Sequence, residues 1–439
     1  MKRLVIIGAG PGGYEVAIEA SKEDLEIILI DKHELGGTCL NYGCIPTKTL
    51  YKSAEVIKNI KTGEKFGVKG NFELDLKQVM ANKDEVVAGL KKGIEFLLNK
   101  GNVRFVQGEA KFVSKTSVEV NGEIIEGDYF LVATGSVPRM LNIPGVDSDI
   151  VVTSKEMLEL VEVPKKLTVI GGGVVGVELA SIYNYFGSEV TIVEFQKHLL
   201  GMFDEDISKR IKPALKKQGI NIVTNAACKE IKGNEVIYDF KGKEVSVEAD
   251  LVLMSTGRAP YYDNLGLVGI GVEFDRAGIT VDEDFKTNVD NIFAVGDCIG
   301  GMMLAHTATY QSYKVLDQIL GKENKTDFDM VPGCVFTFPE IASIGLTKAQ
   351  AKAKFENVDV IKSMYSANGK ANAMGEDGFV QLIVVDDFIV GASILGYSAS
   401  TIIHEIALLI GSKKTLSDFR DVIFAHPTLS EVLAHAIRH

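Results

Sequence analysis

Two cysteines five positions apart, Cys39 and Cys44, carry the clearest chemical signal in this chain; they sit in GGTCLNYGCIPTK, residues 36–48. A regular α-helix rises about 1.5 Å per residue, so five residues advance ~7.5 Å along the axis. A disulfide usually needs Cα atoms within about 6.8 Å. A bridge between the two therefore requires a break in any helix that carries them. Gly43 supplies backbone latitude, and Pro46 suits a first helical turn. Cys44 would then stand near a helix N-terminus, where a thiolate is stabilised. Taken alone, the spacing serves a redox pair, two buried thiols or half of a metal site. No second pair and no His cluster at ligand spacing completes a zinc site, so no metal is expected. Cys228, Cys298 and Cys334 are scattered and read as buried, apolar-like residues. Five cysteines are too few for a secreted disulfide scaffold.

A proton acceptor would have to accompany such a pair, because the thiolate is the nucleophile in dithiol exchange. His426 is a candidate, five residues before Glu431 in HPTLSE. Histidine takes protons near neutrality, and a carboxylate can orient the ring and stabilise its cation. The same residue also reads as a structural histidine before Pro427 at a helix start. His435 and His439 are four apart and could share a metal on one helix face, although an exposed tail is the simpler reading.

The elements that must position these groups are announced by a duplication. Residues 4–17 read LVIIGAGPGGYEVA and residues 167–180 read LTVIGGGVVGVELA. At a constant offset of 163, Leu4, Ile7, Gly8, Gly10, Gly13, Glu15 and Ala17 match Leu167, Ile170, Gly171, Gly173, Gly176, Glu178 and Ala180. Each copy is an apolar strand, a GxGxxG turn and a helical pattern, the context that gives the motif its meaning. The glycines permit a tight turn and let the backbone approach a pyrophosphate, which meets the free N–H groups of the helix. Second strands, 27–30 and 190–193, end at Asp31 and Glu194, each 23 residues after the first glycine of its motif. An acid near that spacing binds a ribose hydroxyl. Two intact fingerprints imply two bound dinucleotides.

The spacing divides the chain into a first nucleotide domain at 1–147, with a helical hairpin whose apolar periodicity runs across 76–100, and a second at 148–262. A segment at 263–328 contains TNVDNIFAVGD, and 329–439 shows alternating strands at 380–385 and 389–395, then helices. Net charge is −12, which disfavours nucleic acid as a partner and is compatible with docking on a basic protein patch. The apolar run after Lys2 and Arg3 stops at Gly8, too early for a signal peptide, and no apolar stretch is long enough to span a membrane. A cytoplasmic protein without membrane contact is expected.

Beyond these local signals, the chain resembles the pyridine nucleotide–disulfide oxidoreductases, and in particular their dihydrolipoyl-oxidising branch. The resemblance rests on GAGPGG (8–13), GGTCLNYGCIPTK (36–48), ATGS (133–136), GGGVVGVE (171–178), TGRAP (256–260), VGD (295–297), LAH (304–306), TFPEIASIG (337–345) and HPTLSE (426–431), in family order along nearly the whole chain. It implies an α/β protein with two Rossmann-like dinucleotide-binding domains and a C-terminal α+β dimerisation domain, the 263–328 segment completing the FAD site. FAD would occupy the first unit, near Gly8, Gly10, Gly13, Asp31, Lys48, Thr134, Gly135, Asp297 and His306. NAD would occupy the second, near Gly171, Gly173, Gly176, Glu178, Glu194 and Gly257. The resemblance further implies that Cys39 exchanges with the dithiol and Cys44 faces the flavin. Lys48 and Glu178 would be a charged pair beside it, Asp297 would contact the ribityl chain, and His426, held by Glu431, would be the base supplied by the other subunit of a homodimer. The implied reaction reoxidises protein-bound dihydrolipoamide with NAD+, on a lipoyl-bearing protein of a 2-oxoacid dehydrogenase or glycine cleavage complex.

Some features depart from the family pattern. Phe424 stands where a first histidine is common, and the chain ends eight residues after Glu431, a short tail that bears on the subunit interface. The first strand already begins at residue 3, so no lipoyl domain of its own is expected ahead of it. Mercuric and high-molecular-weight thioredoxin reductases carry a further C-terminal cysteine pair, whereas the last cysteine here is Cys334. NADH oxidase and CoA-disulfide reductase relatives use one active-site cysteine. A glutathione-reductase-like enzyme remains the nearest alternative, and a mainly structural flavoprotein subunit is disfavoured by the intact pair, base and nucleotide sites.

Overall fold

The computed structural model describes residues 1–438. Strand β1 (Lys2–Ile7) owes its central place to the apolar run LVII that follows Lys2 and Arg3, all four residues of which are buried. A strand covered on both faces reads this way, and it pairs in parallel with β2 (Leu25–Asp31) on one side and with Tyr129–Val132 on the other. Ile292–Ala294 and Arg104–Gln107 complete a five-stranded parallel sheet. Helix α1 (Pro11–Ala20) follows the first fingerprint, and Pro11 at its first position fits because that N–H has no partner within a helix.

The second unit repeats the plan. Its parallel sheet runs Asn221–Thr224, Glu189–Glu194, Lys166–Ile170, Leu251–Met254 and Val151–Val152, with the helix Val174–Phe186 leaving the second fingerprint. The C-terminal sheet is antiparallel instead. Its order is Gly333–Val335, Ile341–Gly345, Phe388–Leu395, Phe379–Val385 and Asp359–Met364, and the helices Ala399–Gly411 and Glu431–Arg438 share a buried apolar cluster with it.

Between β2 and Arg104–Gln107 the chain makes helix α2 (Gly37–Tyr42), helix α3 (Cys44–Thr62) and helix α4 (Leu76–Lys100). Only Leu76, Lys83 and Leu98 of α4 are buried, whereas α3 buries Leu50, Ala54 and Ile57. Those three join a core cluster with the second unit's Val177 and Tyr183 and the C-terminal Phe338 and Phe379. At about 1.5–3 kcal/mol per large apolar side chain, this shared core fixes α3 against both later domains. Among the described residues no helix is long and apolar enough to cross a membrane.

Candidate active site

The fingerprint glycines divide into two kinds. A Cβ on Gly8, at φ +111°, would lie 2.2 Å from the Ala133 carbonyl oxygen, and one on Gly13 would lie 1.8 Å from that of Gly8. The second unit repeats this: Gly171 at φ +108° would place a Cβ 2.4 Å from the Ser255 carbonyl oxygen, and Gly176 would place one 2.1 Å from that of Gly171. The outer glycines are thus demanded by the turn and by helix–strand packing. The middle ones are not. The nearest atom to a Cβ on Gly10 is 3.9 Å away, and nothing lies within 4 Å beside Gly173. That open side, with helix N-termini that no side chain caps, suits the approach of a pyrophosphate.

The terminal acids fasten the same turns. Asp31 accepts hydrogen bonds from the N–H groups of Ala9 (2.6 Å) and His33 (2.7 Å). Glu194 accepts from those of Gly172 (2.5 Å) and Gln196 (2.5 Å), again displaced by 163. A carboxylate has roughly four acceptor positions, so each keeps capacity for a ribose hydroxyl. Both acids and both fingerprints border one cleft of about 2560 Å³. A single small-molecule site spans about 300–1,000 Å³, so this cleft has room for two dinucleotides.

The cysteines lie on the wall of that cleft. Helix α2 stops at Tyr42, Gly43 turns with φ −145° and ψ −110°, and α3 starts at Cys44, which is the break the spacing required. A Cβ on Gly43 would come within 2.9 Å of the Thr38 carbonyl oxygen, so the turn favours glycine. The two cysteines are not bridged, and both border the cleft. Their closeness splits their acidities. Proton sharing with Cys44, then burial, pushes Cys39 well above the usual thiol range. The Cys39 thiol, and then the Lys48 ammonium, stabilise the Cys44 thiolate against burial and pull its pKa down to about 7.

Lys48, one turn into α3, reaches across to Glu178 of the second unit at 3.0 Å. Glu178 is 4% exposed and also accepts the Phe336 N–H at 2.8 Å. Also on the cleft wall, Asp297 accepts from the Ser136 hydroxyl, while the Arg258 guanidinium donates to that hydroxyl at 2.6 Å and to the Ser136 carbonyl at 2.7 Å. The Thr134 hydroxyl donates to the Tyr261 carbonyl, the His306 ring meets the Pro332 carbonyl at 2.8 Å, and Gly135 and Gly257 border the same space. Burial lowers the pKa of His306.

Comparison with known proteins places this arrangement. The family model for pyridine nucleotide-disulphide oxidoreductases matches residues 2–312, and the model for that family's dimerisation domain matches 331–437. The chain belongs to that family. It is 37% identical over 446 residues to a dihydrolipoyl dehydrogenase of Bacillus subtilis, covering 99% of this chain and 97% of the relative. It is 40% identical to the enzyme of that name from Geobacillus stearothermophilus, covering 98% and 94%. Among solved structures it is similar to the HOCl-induced flavoprotein disulfide reductase RclA from Escherichia coli, with a TM-score of 0.89, 30% identity and 99% of each chain covered.

Within this oxidoreductase the candidates fall into two groups. Cys39, Cys44, Lys48, Glu178, Glu194, Asp297 and His306 converge on one cleft. His426 and Glu431 do not border it. They form a pair of their own, Nδ1 to Oε1 at 3.0 Å, with the His426 side chain 77% exposed. Glu431 also accepts the Thr428 N–H at 2.9 Å, and that bond, followed by the histidine, holds its carboxyl below the usual range. His435 is exposed, and His439 lies outside the described residues. Of the three further cysteines only Cys298 is buried; Cys228 and Cys334 are partly exposed and line the cleft. Their strands border that space, which apolar character alone does not reveal. Ser136, Arg258 and Phe336 escape a reading of the sequence. The first two lie inside the ATGS and TGRAP segments, but nothing local marks their side chains as partners of Asp297.

Proposed function

We propose that the chain acts as a dihydrolipoyl dehydrogenase, withdrawing two electrons from protein-bound dihydrolipoamide and delivering them to NAD+ through the Cys39–Cys44 pair and FAD. The observation that carries this reading is the placement of Cys39 and Cys44 on the wall of the shared cleft, on either side of the Gly43 break, with Lys48 one turn further along; the direction in which their acidities divide agrees with it. In thiol–disulfide exchange the sulfur whose thiol is more acidic leaves faster. With the pair oxidised, a substrate thiolate attacks Cys39 Sγ; the Cys39–Cys44 bond breaks, a mixed disulfide forms, and Cys44 leaves as thiolate beside Lys48. The second substrate thiolate then displaces Cys39, closing the lipoyl disulfide. Bound FAD supplies the two-electron relay between the reduced pair and the nicotinamide. Gly10 and the α1 N-terminus would receive its pyrophosphate, Asp31 its ribose, and Asp297, held by Ser136, its ribityl chain.

His426 is read as the base that takes the substrate thiol protons, with Glu431 holding the ring. Because it does not border the cleft of its own chain, it would act on the cysteines of a second copy, which makes the homodimer part of the site. Its exposure and its engagement by Glu431 support this reading. The partner is read as a lipoyl-bearing protein of a 2-oxoacid dehydrogenase or glycine cleavage complex, in the cytoplasm. The net charge of −12 suits docking on a basic patch, and the few cysteines suit a reducing compartment.

The deciding experiment is anaerobic turnover of the yellow holoenzyme with dihydrolipoamide plus NAD+, set against glutathione disulfide plus NADPH. Efficient turnover only in the second assay overturns the reading. His426→Gln should keep FAD and the dimer while losing about 10²–10⁴-fold in dithiol oxidation, the usual worth of general-base help. Unchanged activity at neutral pH would remove the residue from the mechanism.

A further inference from the structure

The Lys48–Glu178 pair is completed by a residue of the C-terminal domain. Glu178 is almost fully buried, and its two oxygens receive Lys48 Nζ at 3.2 and 3.0 Å. One of them also receives the Phe336 N–H at 2.8 Å. The same residue's ring faces the ammonium, with Nζ 4.4 Å from the ring centroid. Phe336 therefore touches both members of the pair, the carboxylate through its backbone and the cation through its side chain.

The ring is itself held in place. Tyr51 meets it edge-on at 5.8 Å and 78°, stacks on Phe338 at 4.5 Å, and donates its hydroxyl to the Thr337 carbonyl at 3.2 Å. A lysine has a flexible four-carbon stem, so one carboxylate does not fix where its charge sits. A carboxylate on one side and an aromatic face on the other do. We infer that Phe336 is a positioning residue for the Lys48 ammonium, holding its charge at one point of the cleft wall beside Cys44. This rests on the reading of Lys48 and Glu178 as part of the electron-transfer site. Glu178 would still bind Lys48 without the ring, but the ammonium would sweep a wider arc, and both the reduced pair and the bound cofactor would feel a weaker field.

The test is a double-mutant cycle on the holoenzyme. The rate of flavin reduction by NADH is followed by stopped flow in wild type, Phe336→Leu, Phe336→Tyr, Lys48→Gln and the Leu/Gln double variant. Leucine keeps the backbone donor and most of the bulk but removes the aromatic face. Phe336→Leu should slow reduction by about threefold to tenfold, the range a partly desolvated cation–π contact supplies. Phe336→Tyr should stay within about twofold of wild type, and Phe336→Leu should add nothing in the Lys48→Gln background. An independent readout is the ultraviolet titration of the Cys44 thiolate in the reduced protein. Its midpoint should move upward in Phe336→Leu and in Lys48→Gln, because less positive charge faces the sulfur. If Phe336→Leu loses FAD, Phe336→Met carries the same comparison. Additive slowing in the double variant, or a wild-type rate in Phe336→Leu beside a slowed Lys48→Gln, overturns the inference and leaves the site reading standing. A wild-type rate in Lys48→Gln overturns both.

Discussion

The two nucleotide-binding units share their turns almost atom for atom and part company immediately after their second strands. Gly8 and Gly171 adopt the same left-handed backbone, at φ +111° and +108°. Asp31 and Glu194 fasten equivalent N–H groups. The returning chain then closes on the turn in both, Gly36 N–H to the Ala9 carbonyl at 2.9 Å and Leu200 N–H to the Gly172 carbonyl at 2.9 Å. In the first unit Gly36 and Gly37 follow, at φ +99° and +56°, and a Cβ on Gly37 would lie 2.6 Å from the Gly10 Cα. That lets α2 press directly against the fingerprint and brings Cys39 and Cys44 to the same space. In the second unit the corresponding place is filled by buried Leu199 and Leu200, and the helix Glu205–Lys217 starts only afterwards. The turn offers the open side a dinucleotide needs; the segment after the acid decides whether a reactive group stands beside it.

Breaking the redox half of this comparison should give the largest effect. Cys39→Ser and Cys44→Ser should each leave the protein folded and yellow, with no measurable dithiol–NAD turnover, since either one prevents the disulfide. Substantial residual turnover in either variant would mean that the pair is not the electron path.

The glycines offer a sharper contrast inside one unit. Gly171→Ala should cost more than about 2 kcal/mol, because it combines a left-handed backbone with a Cβ 2.4 Å from a carbonyl oxygen. Gly173→Ala should change stability by less than about 1 kcal/mol yet raise KM for NADH, since its Cβ enters the open side of the turn. Thermal melts and steady-state kinetics read the two effects separately. Equal destabilisation by both would contradict the division of labour.

Smaller still is the effect expected at the second acid. Glu194→Ala should lower the NAD over NADP preference about tenfold. Two unit charges ~4 Å apart at an effective dielectric of ~20 repel by about 4 kcal/mol, and a third of that is about a factor of ten. Lys197 follows it closely but lacks the bidentate fit of an Arg for a 2′-phosphate. Taking the ratio of kcat/KM values removes the general cost of freeing the Gly172 and Gln196 N–H groups. Equal use of both cofactors by wild type would sink the reading of this site.

The finest distinction is between the two thiols. In the reduced protein one thiolate should appear with a midpoint near pH 7, belonging mainly to Cys44, while Cys39 stays protonated well above that. The depressed pKa means the thiolate is lost as pH falls through about 7 and gained above it. A Cys44→Ser protein should lack that step. If Cys39→Ser lacks it and Cys44→Ser keeps it, the roles of the two cysteines are reversed.

Most of this architecture was legible in the sequence because it is encoded locally. The two fingerprints, their acids at a fixed distance, the broken helix between the cysteines and the 76–100 helix follow from backbone geometry over a few residues, where spacing and residue type suffice. The His426–Glu431 pair is local too, five residues apart. What local spacing left open are meetings across more than a hundred residues; the family resemblance supplied one of them, Lys48 with Glu178, and not the others. Lys48 and Glu178 are 130 apart, Glu178 and Phe336 158, Ser136 and Asp297 161, and Ser136 and Arg258 122. No periodicity links such positions. They meet because α3 is locked into a core shared with both later domains, and because Ser136–Pro138 pairs with Arg258–Pro260 to bring one nucleotide unit onto the other. The sequence alone determined which groups the protein carries and which turns suit a dinucleotide. The tertiary structure decided which charges face Cys44 and left His426 off the cleft of its own chain, because packing of distant segments, not local spacing, sets those distances.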